Sequence, residues 1–208
     1  PNGGADQQMQ ASAVDPAVIT SASWLHATGI ALRESPTREA VLRAMELANA
    51  AGVTVSLDLN ARLELWEMSE KTRSAFVRAV ELSDVVFGNA EEEIMPLAGA
   101  SSPVSAAQSL AADKRIVVAR EGKRGATVIT PQSTFHAPAF NIEVVDTLCA
   151  GDAFDGGFIA GWLAGGDART AARWGNAVAA LQIGQVGARG SPRLADVRRM
   201  LERPQSQE

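Results

Sequence analysis

The chain has 208 residues, enough for one well-buried core or for one domain and part of a second. Its 24 acidic and 19 basic residues leave a net charge of −5 with no basic run and no aromatic-interleaved basic patch, which argues against a nucleic-acid partner. No apolar run approaches the roughly 20 residues that span a bilayer, the single cysteine excludes an internal disulfide and fits a reducing cytoplasm, and two histidines without CxxC or HExxH argue against a zinc or iron site.

The chain opens Pro1-Asn2-Gly3-Gly4-Ala5-Asp6, without Met and without a secretory signal. Residues 1–18 are small and polar, with Met9 and Val14 as apolar anchors, and read as an extended lead-in or the remains of a strand pair. Trp24-Leu25-His26 reads as a buried strand and Thr28-Gly29-Ile30 as its turn; His26 is read as a core histidine rather than a catalyst. Ser35-Pro36 opens a helix, Ser as N-cap and Pro at the first helical position. Its stripe is Val41, Met45 and Ala48, flanked by Leu42 and Leu47, and Gly52 closes it where a left-handed residue is favoured. Residues 53–59 follow as a strand, so helix, glycine and strand make half of a βαβ unit.

That strand runs into Asp58-Leu59-Asn60-Ala61-Arg62, with Trp66 beyond. Polar groups at the carboxyl end of a strand lie where open α/β sheets bind ligands; the alternative is a solvated loop with an Arg–Asp pair. Residues 70–82 form an amphipathic helix with Phe76, Val77, Val80 and Leu82 apolar, and residues 84–89 a second buried strand. Ala90-Glu91-Glu92-Glu93-Ile94 opens a helix, where acids also suit the helix dipole alone. Residues 104–112 form a short helix and residues 114–120 a third strand, with Arg120 at its end as a phosphate contact. Gly122-Lys123-Arg124-Gly125 reads as a hairpin-type turn, two glycines three apart, and residues 126–130 return antiparallel.

The most informative stretch runs from Val144 to Phe158. Residues 141–145 read as a short strand, Cys149-Ala150-Gly151 as a turn with almost no side-chain bulk, and residues 152–163 as a helix with Phe154, Phe158, Ile159, Trp162 and Leu163 at helical spacing. A helix N-terminus after such a turn is an anion site. An acid in its first turn, Asp152, beside a bound anion suggests phosphoryl transfer with Asp152 as the base that takes a hydroxyl proton. The bland alternative is a strand–turn–helix join with Asp152 as a cap. Gly165-Gly166 closes this helix, and an Ala-rich, close-packing helix carrying Asn176 follows. Gly184 to Pro192 is a loop, Val197, Met200 and Leu201 mark a last helix, and residues 204–208 read as a frayed tail.

The run Asp146-Thr147-Leu148-Cys149-Ala150-Gly151-Asp152-Ala153-Phe154 resembles the signature of the ribokinase-like, or phosphofructokinase-B type, carbohydrate kinases, roughly Asp-Thr-x-Gly-Ala-Gly-Asp-x-Phe. Cys149 departs where the family has Gly; the change is harmless at negative φ and costly at positive φ. The resemblance implies an anion hole at the N–H groups of Ala150, Gly151 and Asp152 and assigns Cys149 to the catalytic turn. It places Gly29-Ile30 at the mouth of a sugar site and implies that Asn60 and Arg62 face the substrate or the phosphates. It makes Asn89, Glu92, Arg120, Gly122, Gly125, Thr147 and Asn176 cofactor-binding, with Glu92 arranging Mg2+ through water and Asn176 flanking adenine; a helix-surface asparagine is the alternative. A partly hydrated divalent cation needs few direct carboxylates. Gly187-Ala188-Arg189 is similar to the family's closing segment.

The expected fold is therefore α/β: one domain over residues 1–208, a mostly parallel sheet with helices on both faces. The matches look like the C-terminal two-thirds of such a kinase. The lid is largely absent, with residues 1–18 as its remnant, and the full-length protein would dimerise through that lid. The expected function is ATP- and Mg2+-dependent phosphorylation of a small sugar or sugar acid, 2-keto-3-deoxygluconate-like or fructose-like, with a monovalent cation near the signature and a cytoplasmic location. A catalytically silent nucleotide- or sugar-binding protein is the alternative. A dinucleotide-dependent oxidoreductase would need Gly-x-Gly-x-x-Gly after a strand, and no such run exists.

Overall fold

The computed structural model describes residues 4–63, 68–112, 114–188 and 190–203. Trp66, Arg189 and the tail at 204–208 lie outside the described residues. Six strands, β1 (Trp24–Thr28), β2 (Thr54–Asp58), β3 (Val85–Asn89), β4 (Ile116–Arg120), β5 (Gly125–Ile129) and β6 (Thr134–Pro138), follow one another in the sheet in sequence order. The chain divides into two compact units, residues 1–117 and 118–208, with the boundary inside β4. Among the described residues no helix is long and apolar enough to cross a membrane.

In the first unit, β1 and β2 pair in parallel from Trp24↔Thr54 to Thr28↔Asp58, and β2 pairs in parallel with β3 from Ser56↔Val85 to Asp58↔Phe87. Parallel strands need crossover helices, and the helical spacing between the strands supplies them: α2 (Thr37–Ala50) between β1 and β2, α3 (Glu70–Glu81) between β2 and β3. Val55, Leu57, Val85, Val86 and Phe87 are buried in the core with Met45 of α2 and Phe76 of α3. β1 departs from the sequence expectation. It stands at one end of the strand order, and an end strand is covered less than a central one. Trp24 is half-buried and His26 exposed. Trp24 Nε1 donates to the buried Ser56 hydroxyl at 2.8 Å, and that oxygen lies 2.8 Å from His26 Nδ1.

Three further local expectations are corrected. Residues 5–21 contain no strand: they are two short 3-10 turns and a six-residue helix, α1 (Pro16–Ser21), capped by Asp15, which accepts from the Ala17 N–H at 2.8 Å. Ser35 does not cap α2; its hydroxyl donates to the Glu39 carboxylate at 2.7 Å, and Pro36 occupies the cap position itself. The buried stripe of α2 is Ala40, Ala44, Met45 and Ala48, so small residues rather than Val41 make its closest approach. The helix does close at Gly52, at φ 72°, where the Val53 N–H reaches back to the Ala48 carbonyl at 2.9 Å. α3 is capped by Ser69, whose hydroxyl accepts from the Thr72 N–H at 3.2 Å. It buries Phe76 and Val80 but leaves Val77 51% exposed. After β3 the chain makes a wide π-type turn at Ala90–Ile94, then α4 (Met95–Ala98) and α5 (Pro103–Ala111).

In the second unit, β5 and β6 run antiparallel from Gly125↔Pro138 to Ile129↔Thr134. Residues 141–145 are not a strand: Val144 and Val145 are more than half exposed, and the Val145 and Asp146 N–H groups both donate to the Ile183 carbonyl, at 2.8 and 3.1 Å. The β-branched pair there is a surface loop laid against the end of a helix. α6 (Ala150–Leu163), α7 (Ala168–Ile183) and α8 (Leu194–Leu201) complete the unit. α6 and α7 are unusually close: a Cβ on Gly157 or Gly161 would lie 2.8 Å from Val178 or Trp174, and one on Gly175 would lie 2.9 Å from the Phe154 carbonyl. Glycine is a weak helix former and alanine buries little area, and here their small size is what permits the contact. Phe140, Ala177, Ala180, Val197 and Met200 form a further core cluster between α7 and α8.

Candidate active site

The second unit contributes the turn that opens α6. Asp146 anchors it: one carboxylate oxygen accepts from the Leu148 N–H at 3.0 Å, the other from the Gly187 N–H at 2.9 Å. These two main-chain donors, Leu148 first, hold the Asp146 carboxyl below its ordinary value. Buried Gln182 of α7 adds a second tie, donating to the carbonyls of Gly187 at 2.8 Å and Leu148 at 3.4 Å. Thr147 is exposed at the top of the loop. Cys149 precedes the helix at φ 59°, ψ 23°, in the left-handed region. This position is the costly one for a non-glycine residue.

Of the three N–H groups that the resemblance assigns to an anion hole, one is already engaged. The Ala150 N–H already donates to the Thr147 carbonyl at 3.2 Å, and the first bond of the helix runs from the Ala153 N–H to the Cys149 carbonyl at 3.0 Å. Among the described residues, the N–H groups of Gly151 and Asp152 meet no main-chain acceptor, as helix geometry requires of a first turn. Asp152 is exposed rather than turned into the core.

Arg120, at the end of β4, donates from Nη1 to Asp155 Oδ1 at 2.9 Å; Asp155 is 1% exposed and Arg120 14%. The same Nη1 lies 2.8 Å from where a Cβ on Gly151 would stand. Arg120 is thus an ion-paired residue packed on the turn that opens α6. A Cβ at Gly151 would meet the tip of this guanidinium, which would have to shift to make room.

Gly122 and Gly125 both have positive φ, 58° and 105°. At Gly125 a Cβ would also meet the Ala137 carbonyl at 2.2 Å, so the backbone approach of β6 alone requires glycine there. Asn176 is neither on a helix surface nor turned outward: it is buried, and its amide donates to the carbonyls of Ala137 at 2.9 Å and Pro138 at 3.2 Å. It clamps the end of β6 to α7.

The first unit gathers polar groups at the carboxyl ends of β1, β2 and β3. Asn60 Nδ2 donates to the Thr28 hydroxyl at 3.2 Å, and Arg62 Nε donates to Asn60 Oδ1 at 2.7 Å, so Arg62 pairs with an amide and not with an aspartate. Asn60 and Arg62 both have positive φ, 34° and 49°, a strain that non-glycine residues accept where the surroundings fix it. Arg62 itself is exposed. Gly29 is buried, a Cβ there falling 1.9 Å from the Leu59 carbonyl, while Ile30 is 39% exposed beside it.

Asn89 caps the π-type turn, Oδ1 accepting from the N–H groups of Glu91 and Glu92, each at 3.0 Å. Glu92 is exposed, and its neighbour Glu93 makes the structural contacts. Glu93 accepts from the Asn89 N–H at 2.7 Å and from the Ala61 N–H at 2.9 Å, joining the ends of β2 and β3. The wider turn carries the fourth residue back over the cap where an α-helix would carry the third.

Among the described residues no group of three His, Cys, Asp or Glu side chains could hold a metal. A single exposed carboxylate, Glu92, fits only a hydrated hard cation that takes its other ligands from water and phosphate. The uncommitted donors at Gly151 and Asp152, where a Cβ would meet a guanidinium, fit a phosphate. Sequence reasoning missed Asp155, Gln182 and Glu93. Asp155 had a signal: an acid within the apolar run of α6, between Phe154 and Phe158.

The second unit opens a helix on an acid after a small-residue turn, and the first gathers polar groups at strand ends. The chain matches the pfkB family of carbohydrate kinases over residues 1–194 and belongs to that family. It is 32% identical over 202 residues to the 5-dehydro-2-deoxygluconokinase of Shouchella clausii, a match that covers 95% of this chain and 62% of that protein. Among solved structures it resembles the fructokinase from Vibrio cholerae in its fructose, ADP and calcium ion bound form, with a TM-score of 0.85, 33% identity, and coverage of 96% of this chain and 66% of that one. It also resembles the aminoimidazole riboside kinase from Salmonella enterica complexed with aminoimidazole riboside and an ATP analog, with a TM-score of 0.86, 28% identity, and coverage of 98% and 70%. The chain spans about three fifths of the length of the curated relatives it matches.

Proposed function

We propose that the protein transfers the γ-phosphoryl group of ATP to a hydroxyl of a small sugar or sugar acid, 2-keto-3-deoxygluconate-like or fructose-like. One observation carries the reading: exposed Asp152 stands in the first turn of α6, where the Gly151 and Asp152 N–H groups have no main-chain acceptor among the described residues and Arg120 packs on Gly151. Asp152 takes the proton of the attacking hydroxyl; the new O–P bond forms as the bond to the β,γ-bridging oxygen breaks, and ADP departs. The two N–H groups stabilise the negative charge of the phosphoryl in transfer. Asn60 and Arg62 hold the sugar, Arg62 as counter-charge to a carboxylate. Glu92, with Asn89 fixing its turn, would hold a hydrated Mg2+, which would supply neutralisation of phosphate charge. The names of the relatives, kinases of a sugar acid, of fructose and of a riboside, support the substrate class. We place the protein in the cytoplasm, on its single cysteine.

The test is a coupled ADP-release assay across sugars and sugar acids. Removing a general base costs about 10²–10⁴ in rate. Asp152→Asn is expected to lose turnover by that factor while ATP binding, measured by calorimetry, stays within about twofold. A variant that turns over at the native rate would show that Asp152 is not the base.

A further inference from the structure

Asp155 has no role in the chemistry proposed above, yet it is 1% exposed inside an otherwise apolar stretch of α6. Burying a carboxylate is costly unless it is paired and hydrogen-bonded, and the partner here is Arg120, at 2.9 Å. A cation near a helix N-terminus is disfavoured by the helix dipole, so Arg120 needs a reason to stay there. Asp155 supplies it. One turn inside the helix, it fixes one arm of the guanidinium, and that arm lies so close to Gly151 that a Cβ there would displace it. The result is a rigidly held positive charge on the turn whose N–H groups are uncommitted.

We propose that Asp155 is a positioning residue: it holds Arg120 on the Gly151 turn so that the guanidinium meets the charge of a phosphate arriving there. This rests on the phosphoryl-transfer reading of the α6 turn. Asp155 touches no reacting atom. It acts through Arg120, whose charge is worth most where it is already in place before the phosphate arrives. The pair also explains why a basic residue at the end of β4 does not swing into solvent, as an unpaired arginine would.

Two readouts separate this role from a merely structural one. The first is the rise in melting temperature caused by ATP–Mg2+ or by inorganic tripolyphosphate, which does not depend on turnover. The second is kcat and KM for ATP in the ADP-release assay. Asp155→Asn is expected to lose most of the anion-induced rise and to lower kcat/KM for ATP about 10–100-fold, the cost of misplacing one charge-assisted hydrogen bond. Because Asp155→Asn leaves Arg120 without its counter-ion and folding itself could suffer, the apolar pair Arg120→Met/Asp155→Leu serves as the second variant. Such replacements of an ion pair recover stability. The double variant is expected to regain the wild-type melting temperature without ligand, but not the anion-induced rise or the turnover.

A double variant that regains all three overturns the proposal, since the pair then only stabilises the fold. So does an Asp155→Asn protein that keeps the wild-type anion response, or a wild-type protein with no anion response. If wild type shows the anion response and loses it in Asp155→Asn but releases no ADP with any sugar, the positioning role stands and the kinase reading fails.

Discussion

At Cys149 the main chain takes φ 59°, in the one region where a β-carbon is a liability. An L-residue there costs roughly 1–2 kcal/mol, and glycine returns part of that through its larger unfolded-state entropy. Cys149→Gly is therefore expected to stabilise the protein by about 0.5–1 kcal/mol, a rise of roughly 2 °C in melting temperature for a chain of this size. Calorimetry decides it: an unchanged or lower melting temperature would mean that the thiol makes compensating contacts. Asn60 and Arg62 carry the same kind of strain, at φ 34° and 49°, but there the residues hydrogen-bond each other and Thr28. Replacing either by glycine would relieve the backbone and remove the functional group with it.

At the scale of elements, the loop entering α6 is held by an aspartate rather than by strand pairing. Asp146 bonds two main-chain N–H groups, from its own loop and from Gly187, and both bonds favour the ionised carboxyl. Its folded pKa is lowered, so its contribution to stability is fully present above the unfolded value near 3.8 and is lost as pH falls through the folded value. Asp146→Ala is expected to lower the melting temperature at neutral pH. The gap to wild type should close progressively as the pH is taken below about 3.8, the ordinary carboxylate value. A gap that stays constant with pH would assign the tie to Gln182 instead. The wide turn at Ala90–Ile94 shows a similar dependence of role on element geometry. In an α-helix Glu92 would fold back over Asn89; in this turn Glu93 does, leaving Glu92 exposed.

For the molecule as a whole, the proposed function turns on the polar groups at the strand ends. Arg62 is exposed and held by Asn60 at 2.7 Å, a geometry suited to receiving a carboxylate. A hydrogen bond to a charged group contributes about 1.5–3 kcal/mol. Arg62→Leu should therefore lower kcat/KM for a sugar acid roughly 10–100-fold, and for neutral fructose less than threefold. Equal losses on both would place Arg62 with the phosphates. The fructokinase and the sugar-acid kinase that the chain resembles differ in just this respect, a neutral against an acidic substrate by their names.

Much of this was legible from residues alone. The crossover helices and strands of the first unit follow from apolar periodicity, because each buries one face or both. Gly52 closes its helix as composition predicts, since only a residue without a β-carbon takes that bend cheaply. The Asp152 turn was likewise visible, in the loss of side-chain bulk before a helix with apolar residues at helical spacing. What sequence could not decide is where a polar side chain spends its hydrogen bonds. Asn176 clamps β6, Glu93 joins two strand ends, Asp155 pairs with Arg120, and Val144 and Val145 lie on the surface although their propensity is for a strand. Each outcome depends on partners dozens of residues away in the chain or on a turn that gains one residue. Local spacing carries burial and bend, but only the packed tertiary structure brings donor to acceptor.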